Sequence, residues 1–358
     1  MISDPFPRLR GRARERANLA SRGAHRHLLL AATWLALACR CVPGPADSSR
    51  TAPPTSTSTT ASTTTLVVEP EAGAAPVLSF IRGAQRSIAV EMYLLTDDDA
   101  IQALADARAN GRNVQVILEP HPFGADGANQ AAWDRLAAAG VDLAWASPRF
   151  ALTHAKLIVA DGNRALVMSL NLTHAGLTSN REYAIADSDA RDVGDATVIF
   201  AADRVASPAP APSAQSRLLA SPANARARLG DLIASARRSI SIEIEELSDD
   251  AIVGALLAAV ARGVAISVVL PGTNRSTSTD AAASTLSAGG VSVRALAAPT
   301  VHGKAIVADG ARLYIGSINL TAASLDQNRE FGLRLDDAAM AGRVAAAIAG
   351  DWARSTEL

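Results

Sequence analysis

Residues 302–320 read HGKAIVADGARLYIGSINL, and residues 154–172 read HAKLIVADGNRALVMSLNL. The second stretch gives His302-x-Lys304, four residues, Asp309, six residues, Gly316-Ser317-x-Asn319, then Asn328-Arg329-Glu330. The first gives His154-x-Lys156, Asp161, Met168-Ser169-x-Asn171 and Asn180-Arg181-Glu182 at the same spacing. Histidine and glutamate stand 28 residues apart in both. The match extends outward. Arg86-Ser87-Ile88 with Glu91 recurs as Arg238-Ser239-Ile240 with Glu243, and Gly111 with Val116-Ile117-Leu118 recurs as Gly263 with Val268-Val269-Leu270. Gly140-Val141 recurs as Gly290-Val291, and the offset drifts only from 152 to 148 along the repeat. Small loop deletions explain that drift, so the chain is one unit written twice.

Within a copy, apolar periodicity alternates between strand and helix. SIAVEMYLL (87–95) reads as a strand, DDDAIQALADARANG (97–111) as an amphipathic helix closed by glycine, VQVILEP as a buried strand and NQAAWDRLAAAG (129–140) as a helix. VDLAWA, KLIVAD, ALVMSLNL and EYAIAD follow as short strands. The pattern predicts an α/β fold: two duplicated domains, each a mixed sheet flanked by helices, packed around a pseudo-two-fold cleft. Copy one is expected over 66–206 and copy two over 223–358, with a Pro/Ala-rich joint at 207–222 containing Ser207-Pro208-Ala209-Pro210-Ala211-Pro212.

The matched polar residues define a chemistry. Positions i and i+2 of a strand share a face, so each His-x-Lys pair is expected to project into one site, with Ser and Asn doing likewise on the neighbouring strand. Two ammoniums with neutral donors suit a phosphate. Two imidazoles can divide the labour, one attacking phosphorus and the other protonating the leaving alkoxide. Each glutamate can accept from a histidine Nδ1–H and so fix the tautomer that frees Nε2. A single H-x-K carries no information. A nine-position pattern whose eight polar members all repeat, while the surrounding surface has diverged, carries a great deal.

At these residues the chain resembles the phospholipase D superfamily, whose signature is H-x-K-x4-D-x6-G-S-x-N. Copy two matches throughout, and copy one departs only at Met168. The resemblance covers about residues 66–358 and implies a bilobal α/β fold. It also implies phosphodiester hydrolysis or transfer through a covalent phosphohistidine, with no required metal or other cofactor. Carried across, His154 would be the nucleophile and His302 the general acid. Lys156, Lys304, Asn171 and Asn319 would bind phosphate oxygens, and Ser169 and Ser317 would support substrate binding. Glu182 and Glu330 would orient the histidines, and Asp161 and Asp309 would be structural. A side chain at Met168 either crowds the phosphate-binding turn or packs away from it.

Other candidates carry less. His121 and His174 have no counterpart in the other copy and read as rim or structural residues. Asp97-Asp98-Asp99 and Asp249-Asp250 open helices and read as caps. Trp133 and Trp145 read as core, and Glu91 and Glu243 either face the cleft or form a buried network.

Residues 1–42 read as targeting. A basic stretch ends at Arg26-His27, and an apolar run from Leu28 to Ala38 closes on Ala36-Leu37-Ala38 just before Cys39. The run is too short to span a bilayer. Cys39 resembles the lipidated cysteine of a bacterial lipobox, so export as a periplasmic, membrane-anchored lipoprotein or as a secreted protein is expected. From Pro43 to Thr65, 17 of 23 residues are Ser, Thr or Pro, which predicts a disordered tether. From Val67 onward there are 25 Lys+Arg against 32 Asp+Glu, a balance of −7 that disfavours a broad nucleic-acid footprint. Six Phe, three Tyr and four Trp in 358 residues offer few stacking platforms for bases. The expected substrate is therefore a phospholipid at a membrane surface. A nuclease of the same superfamily and a cardiolipin-synthase-like transferase are the alternatives. Both half-sites lie in one chain, which predicts a monomer with no obligate protein partner.

Overall fold

Two sheets of matching strand order carry the repeat. The computed structural model describes residues 64–358. Copy one comprises β1 (Thr65–Glu69), α1 (Ala75–Arg82), β2 (Ser87–Met92), α2 (Asp98–Ala109), β3 (Asn113–Leu118), α3 (Gln130–Ala138) and β4 (Asp142–Trp145). It continues through β5 (Lys156–Ala160), β6 (Arg164–Met168), α4 (His174–Thr178), β7 (Glu182–Asp187) and α5 (Ala190–Arg204). Copy two comprises β8 (Leu218–Ser221), α6 (Ala225–Ala234), β9 (Ser239–Ile244), α7 (Asp250–Ala261), β10 (Ala265–Pro271), α8 (Thr277–Ala288) and β11 (Ser292–Leu296). Then follow β12 (Lys304–Ala308), β13 (Arg312–Gly316), α9 (Ala322–Asp326), β14 (Glu330–Asp336), α10 (Ala338–Arg354) and the short β15 (Thr356–Glu357).

The first sheet runs β1-β7-β6-β5-β2-β3-β4, and the second runs β8-β14-β13-β12-β9-β10-β11-β15. In each, the two strands that follow crossover helices pair parallel with the strand before them, and the remaining pairs are antiparallel. The sheets are therefore mixed. The amphipathic helices α1 to α3 cover one face of the first sheet, and α6 to α8 cover one face of the second. A third core lies between the sheets, built from β5 to β7, β12 to β14, α5 and α10. That double covering explains why all five residues of β5 and all five of β12 are buried.

The helix starts follow the sequence. Asp97 caps α2 by accepting from Ala100 N–H, and Asp249 caps α7 by accepting from Ile252 N–H. Other boundaries differ from the expectation. Leu218–Ser221, within the stretch read as a joint, forms β8, which pairs with β14 as β1 pairs with β7. The β6 strand ends at Met168, so Ser169 and Asn171 occupy the turn beyond it, not a strand. The stretch read as a leader, 1–42, with Cys39, and nearly all of the stretch read as a tether lie outside the described residues. No helix among the described residues is long and apolar enough to cross a membrane.

Candidate active site

The two lobes are stitched together next to the histidines. Ala151 N–H donates to Gln327 O, and Arg329 N–H donates to Leu152 O. On the other side, Arg181 N–H donates to Thr300 O, and His302 N–H donates to Arg181 O at 3.2 Å. Short parallel bridges thus run Thr153 to Arg329 and Arg181 to Val301. Each sets a histidine of one copy beside the glutamate of the other.

The side chains complete that exchange. His154 Nδ1 lies 2.9 Å from Glu330 Oε2, and His302 Nδ1 lies 2.5 Å from Glu182 Oε1. The first contact is a hydrogen bond, whereas the second is a close contact whose N–H is not aligned with the oxygen. Both glutamates are fully buried. Glu330 also accepts from Asn328 Nδ2 at 3.3 Å, and Glu182 from Ser169 Oγ at 2.6 Å. With Nδ1 engaged, the nitrogen each ring offers the cleft is Nε2. Burial, reinforced by the Lys156 ammonium, lowers the His154 pKa to about 4 against the opposing pull of Glu330. His154 is therefore neutral at physiological pH, with a lone pair on Nε2.

Lys156 and Lys304 are fully buried, and their Nζ atoms donate to the carbonyls of His154 and His302 at 2.9 and 2.6 Å. Burial and then the facing Lys304 charge bring the Lys156 pKa down to about 7. The amide nitrogen of Asn319 donates to Glu245 Oε2 at 3.1 Å, while its Oδ1 accepts from Glu246 N–H. Asn171 Oδ1 is buried without a hydrogen-bond partner. One neutral imidazole, one further imidazole, two ammoniums and two amides thus meet between the lobes.

Residues 77–204 and 229–352 match the family described as cardiolipin synthase, PLD-like domain. The chain belongs to this phospholipase D-like family. By class its members are phosphodiesterases or phosphatidyltransferases. Among solved structures, the phospholipase D-like chain is similar to phosphatidylserine synthase from Haemophilus influenzae Rd KW20. That likeness has a TM-score of 0.63 at 12% identity and covers 82% of this chain and 87% of that one. It is similar also to polyphosphate kinase from Porphyromonas gingivalis, with a TM-score of 0.66 at 16% identity, covering 82% of this chain. The chain spans about half, 48%, of the kinase's length. At these identities the likeness is one of fold. No curated protein matches the phospholipase D-like chain significantly.

The motif serines sit differently from the expectation, whereas the motif aspartates occupy structural positions. Ser169 and Ser317 were expected to support substrate binding, but both are fully buried in the turns after β6 and β13, facing the next strand. Each hydroxyl accepts a backbone N–H there, from Tyr183 and Phe331, so they position Glu182 and Glu330 from behind. Asp161 and Asp309 adopt φ of 57° and 56° and lie away from the cleft. Asp161 accepts from the N–H groups of Gln85, Arg86 and Ser87, and Asp309 from those of Arg237, Arg238 and Ser239. Burial alone would raise their pKa values, but these donors hold them below the usual carboxylate range. They pin the turns that start β2 and β9.

Met168 packs away from the turn that carries Ser169 and Asn171, into the core under α1 to α3. The exchange is volumetric. In copy two a Cβ on Gly316 would meet Phe331 O, and a Cβ on Gly332 would strike the Tyr314 ring. The positions matching Tyr314 and Gly332 in copy one are Leu166 and Ala184, and the smaller Leu166 leaves the space that Met168 fills. Trp133 and Trp145 stack on each other at 3.9 Å, with Trp145 at the surface. His121 pairs with Asp126 on an exposed loop, and His174 opens α4.

Glu91 and Glu243 are buried beside two Arg–Asp groups and not in the cleft, Glu91 with both carboxylate oxygens lacking a hydrogen-bond partner. Arg329 reaches Asp203 of α5 at 2.7 Å and Ser221 O, and Arg181 reaches Asp351 of α10 at 2.5 Å and Glu69 O. Tyr183 Oη donates to Glu243 within the second group. Burial and then the neighbouring aspartate push both glutamates up, Glu243 to about 8.

Three residues near the histidines were not legible as site residues. Glu245 Oε2 lies 2.6 Å from Lys304 Nζ, and its Oε1 lies 3.6 Å from His302 Nε2. Tyr93, at the matching position of copy one, packs edge-on against His154 at 4.6 Å and lies beneath Lys156. Glu119 accepts from Thr153 N–H at 2.7 Å and so holds the segment entering His154. The one signal for the first two was a mismatch between otherwise parallel copies.

Proposed function

We propose that the chain is a phospholipase D-type phosphodiesterase that cleaves phospholipids through a covalent phosphohistidine, passing the phosphatidyl group to water or to an alcohol. The observation that carries this reading is His154, a neutral imidazole whose Nδ1 is held by a buried carboxylate from the opposite lobe.

The steps follow from the groups present. His154 Nε2 attacks phosphorus, forming a P–N bond as the P–O bond to the headgroup breaks. The His302 imidazolium gives its proton to the departing oxygen. Lys156, Lys304, Asn171 and Asn319 hold the phosphoryl oxygens on which charge builds. Neutral His302 then takes a proton from water or an acceptor alcohol, whose oxygen attacks phosphorus and expels His154.

A lipid substrate is supported by the acidic balance of the folded part and by Phe123, which is 84% exposed. Its loop is anchored to the site, because Phe123 N–H donates to Tyr93 Oη at 2.6 Å. An apolar ring standing in water beside the cleft mouth suits an acyl interface. The family's description favours a second reading, cardiolipin-synthase-like transfer in which the acceptor alcohol is itself a lipid.

Incubating the protein with mixed phospholipid vesicles, ethanol and EDTA tests the proposal. Phosphatidylethanol is the expected product, and a diphosphatidyl product without added ethanol would select the second reading. Turnover of a simple aryl diester with no lipid product would move the substrate to another class of diester.

A further inference from the structure

The motif residues of the cleft recur in both copies, but Glu245, whose carboxylate Lys304 holds, has no acidic counterpart. It follows β9 directly, and the matching residue after β2 is the uncharged Tyr93. Its carboxylate takes Lys304 Nζ at 2.6 Å and Asn319 Nδ2 at 3.1 Å, and approaches His302 Nε2 at 3.6 Å. Those are the donors that the second half-site would turn toward a phosphoryl oxygen. In the first half-site Lys156 faces the Tyr93 ring, with no carboxylate on its ammonium. One half-site is open to an anion, and the other already holds one.

The held anion is charged. Burial would raise the Glu245 pKa, but His302, Lys304 and His154 together hold it far below the usual carboxylate range. It is also movable. The Glu245 side chain is 31% exposed, whereas Lys304 and Asn319 are buried. The donors are enclosed by the fold, while the carboxylate has a face toward solvent into which it can be displaced.

Resting on the phosphodiesterase reading, we propose that Glu245 is a specificity-determining residue, an internal anion that a monoanionic phosphodiester displaces from Lys304 and that disfavours dianionic phosphate monoesters. A displaced carboxylate remains at the cleft, tethered to the end of β9. One further negative charge on the ligand then meets it at short range in a partly desolvated site. The immediate lipid product of hydrolysis is a monoester, so the same repulsion hastens its departure.

The test compares two ligands of nearly one shape, phenyl phosphate and methyl phenyl phosphate. The first is largely dianionic at neutral pH and the second monoanionic. Affinities of both are measured by calorimetry on the full chain, in wild type, E245Q and E245A. Glu245→Gln keeps the shape and removes the charge. The expected result is that phenyl phosphate tightens by about tenfold or more in both variants, while methyl phenyl phosphate tightens by clearly less. An unchanged ratio between the two ligands, weaker binding of both, or no binding to any of the three proteins would overturn the proposal. Calorimetry needs no turnover, which separates the two claims. A shifted ratio in a protein that cleaves no diester would retain the charge filter and remove the phosphodiesterase reading. Diester cleavage with an unshifted ratio would do the reverse.

Discussion

At the scale of single residues, the cleft assigns different protonation states to chemically similar groups. His154 must be neutral to attack, so kcat/KM should fall as pH drops through about 4. Lys156 must be cationic to hold a phosphoryl oxygen, so kcat/KM should also fall as pH rises through about 7. A bell between those limits is expected for a soluble aryl diester, and Lys156→Arg should move the alkaline limb upward. His154→Ala should abolish turnover and covalent labelling by a diester with a good leaving group. His302→Ala should abolish turnover of lipid yet still label, because an acidic leaving group needs no proton. Labelling that persists in His154→Ala and disappears in His302→Ala would reverse the two roles. The polar motif was legible because duplication repeated it. Which glutamate serves which histidine was not, since Glu182 and Glu330 are equivalent by spacing and only the docking of the lobes distinguishes them. Glu245 escaped for the opposite reason, being an exception to the repeat that revealed everything else.

At the scale of elements, α10 and α5 act as struts for the catalytic strands. Asp351 on α10 pairs with Arg181, one residue before Glu182, and Asp203 on α5 pairs with Arg329, one residue before Glu330. Both pairs are buried, but Arg181 also holds Glu71, whereas Asp203 is the carboxylate on Arg329, so removing Asp203 strands a charge at a cost of about 3–5 kcal/mol. Asp203→Ala should lower stability by that order in denaturant melts, and Asp351→Ala by less, because Glu71 stays on Arg181. Asp351→Ala should also weaken turnover in whatever fraction remains folded, because Arg181 O supports His302. The loop carrying Phe123 makes a separate prediction. Phe123→Ala should reduce activity on vesicles several-fold while leaving an aqueous aryl diester nearly unaffected. Amphipathic α2 and α3 were legible from periodicity. The ladder β5–β6 was legible as apolar runs, but the end of β6 was not, because Leu170 and Leu172 continue its alternation into the turn. The struts α5 and α10 carry polar residues on buried faces, so periodicity underweights them, and their aspartates gain meaning only once the opposite lobe is in place.

At the scale of the whole molecule, the buried carboxylates set how stability responds to pH. Glu243 titrates near about 8 and Glu69 near about 7 when folded, against 4.5 as their ordinary value. The folded state therefore holds protons that the unfolded chain has released over that range. Stability contributed by the neutral forms is present at low pH and is lost as pH rises from about 4.5 through about 8. Thermal melts should show a lower Tm at about pH 8 than at about pH 5, and Glu243→Gln should flatten the slope. The bilobal α/β architecture was legible from the repeat alone, whereas the third core between the sheets was not, because a buried strand reads alike whether a helix or a second sheet covers it. The crossed pairing of His154 with Glu330 and His302 with Glu182 has one more consequence. Each repeat supplies the other's missing carboxylate, so damage to a glutamate in one copy is felt as a lesion in its sibling. Neither copy can decay alone, and a cut in the intervening joint that left the lobes docked would leave the machinery whole. The duplication produced two halves that drifted freely on their surfaces and became, at their centre, a single heritable trait.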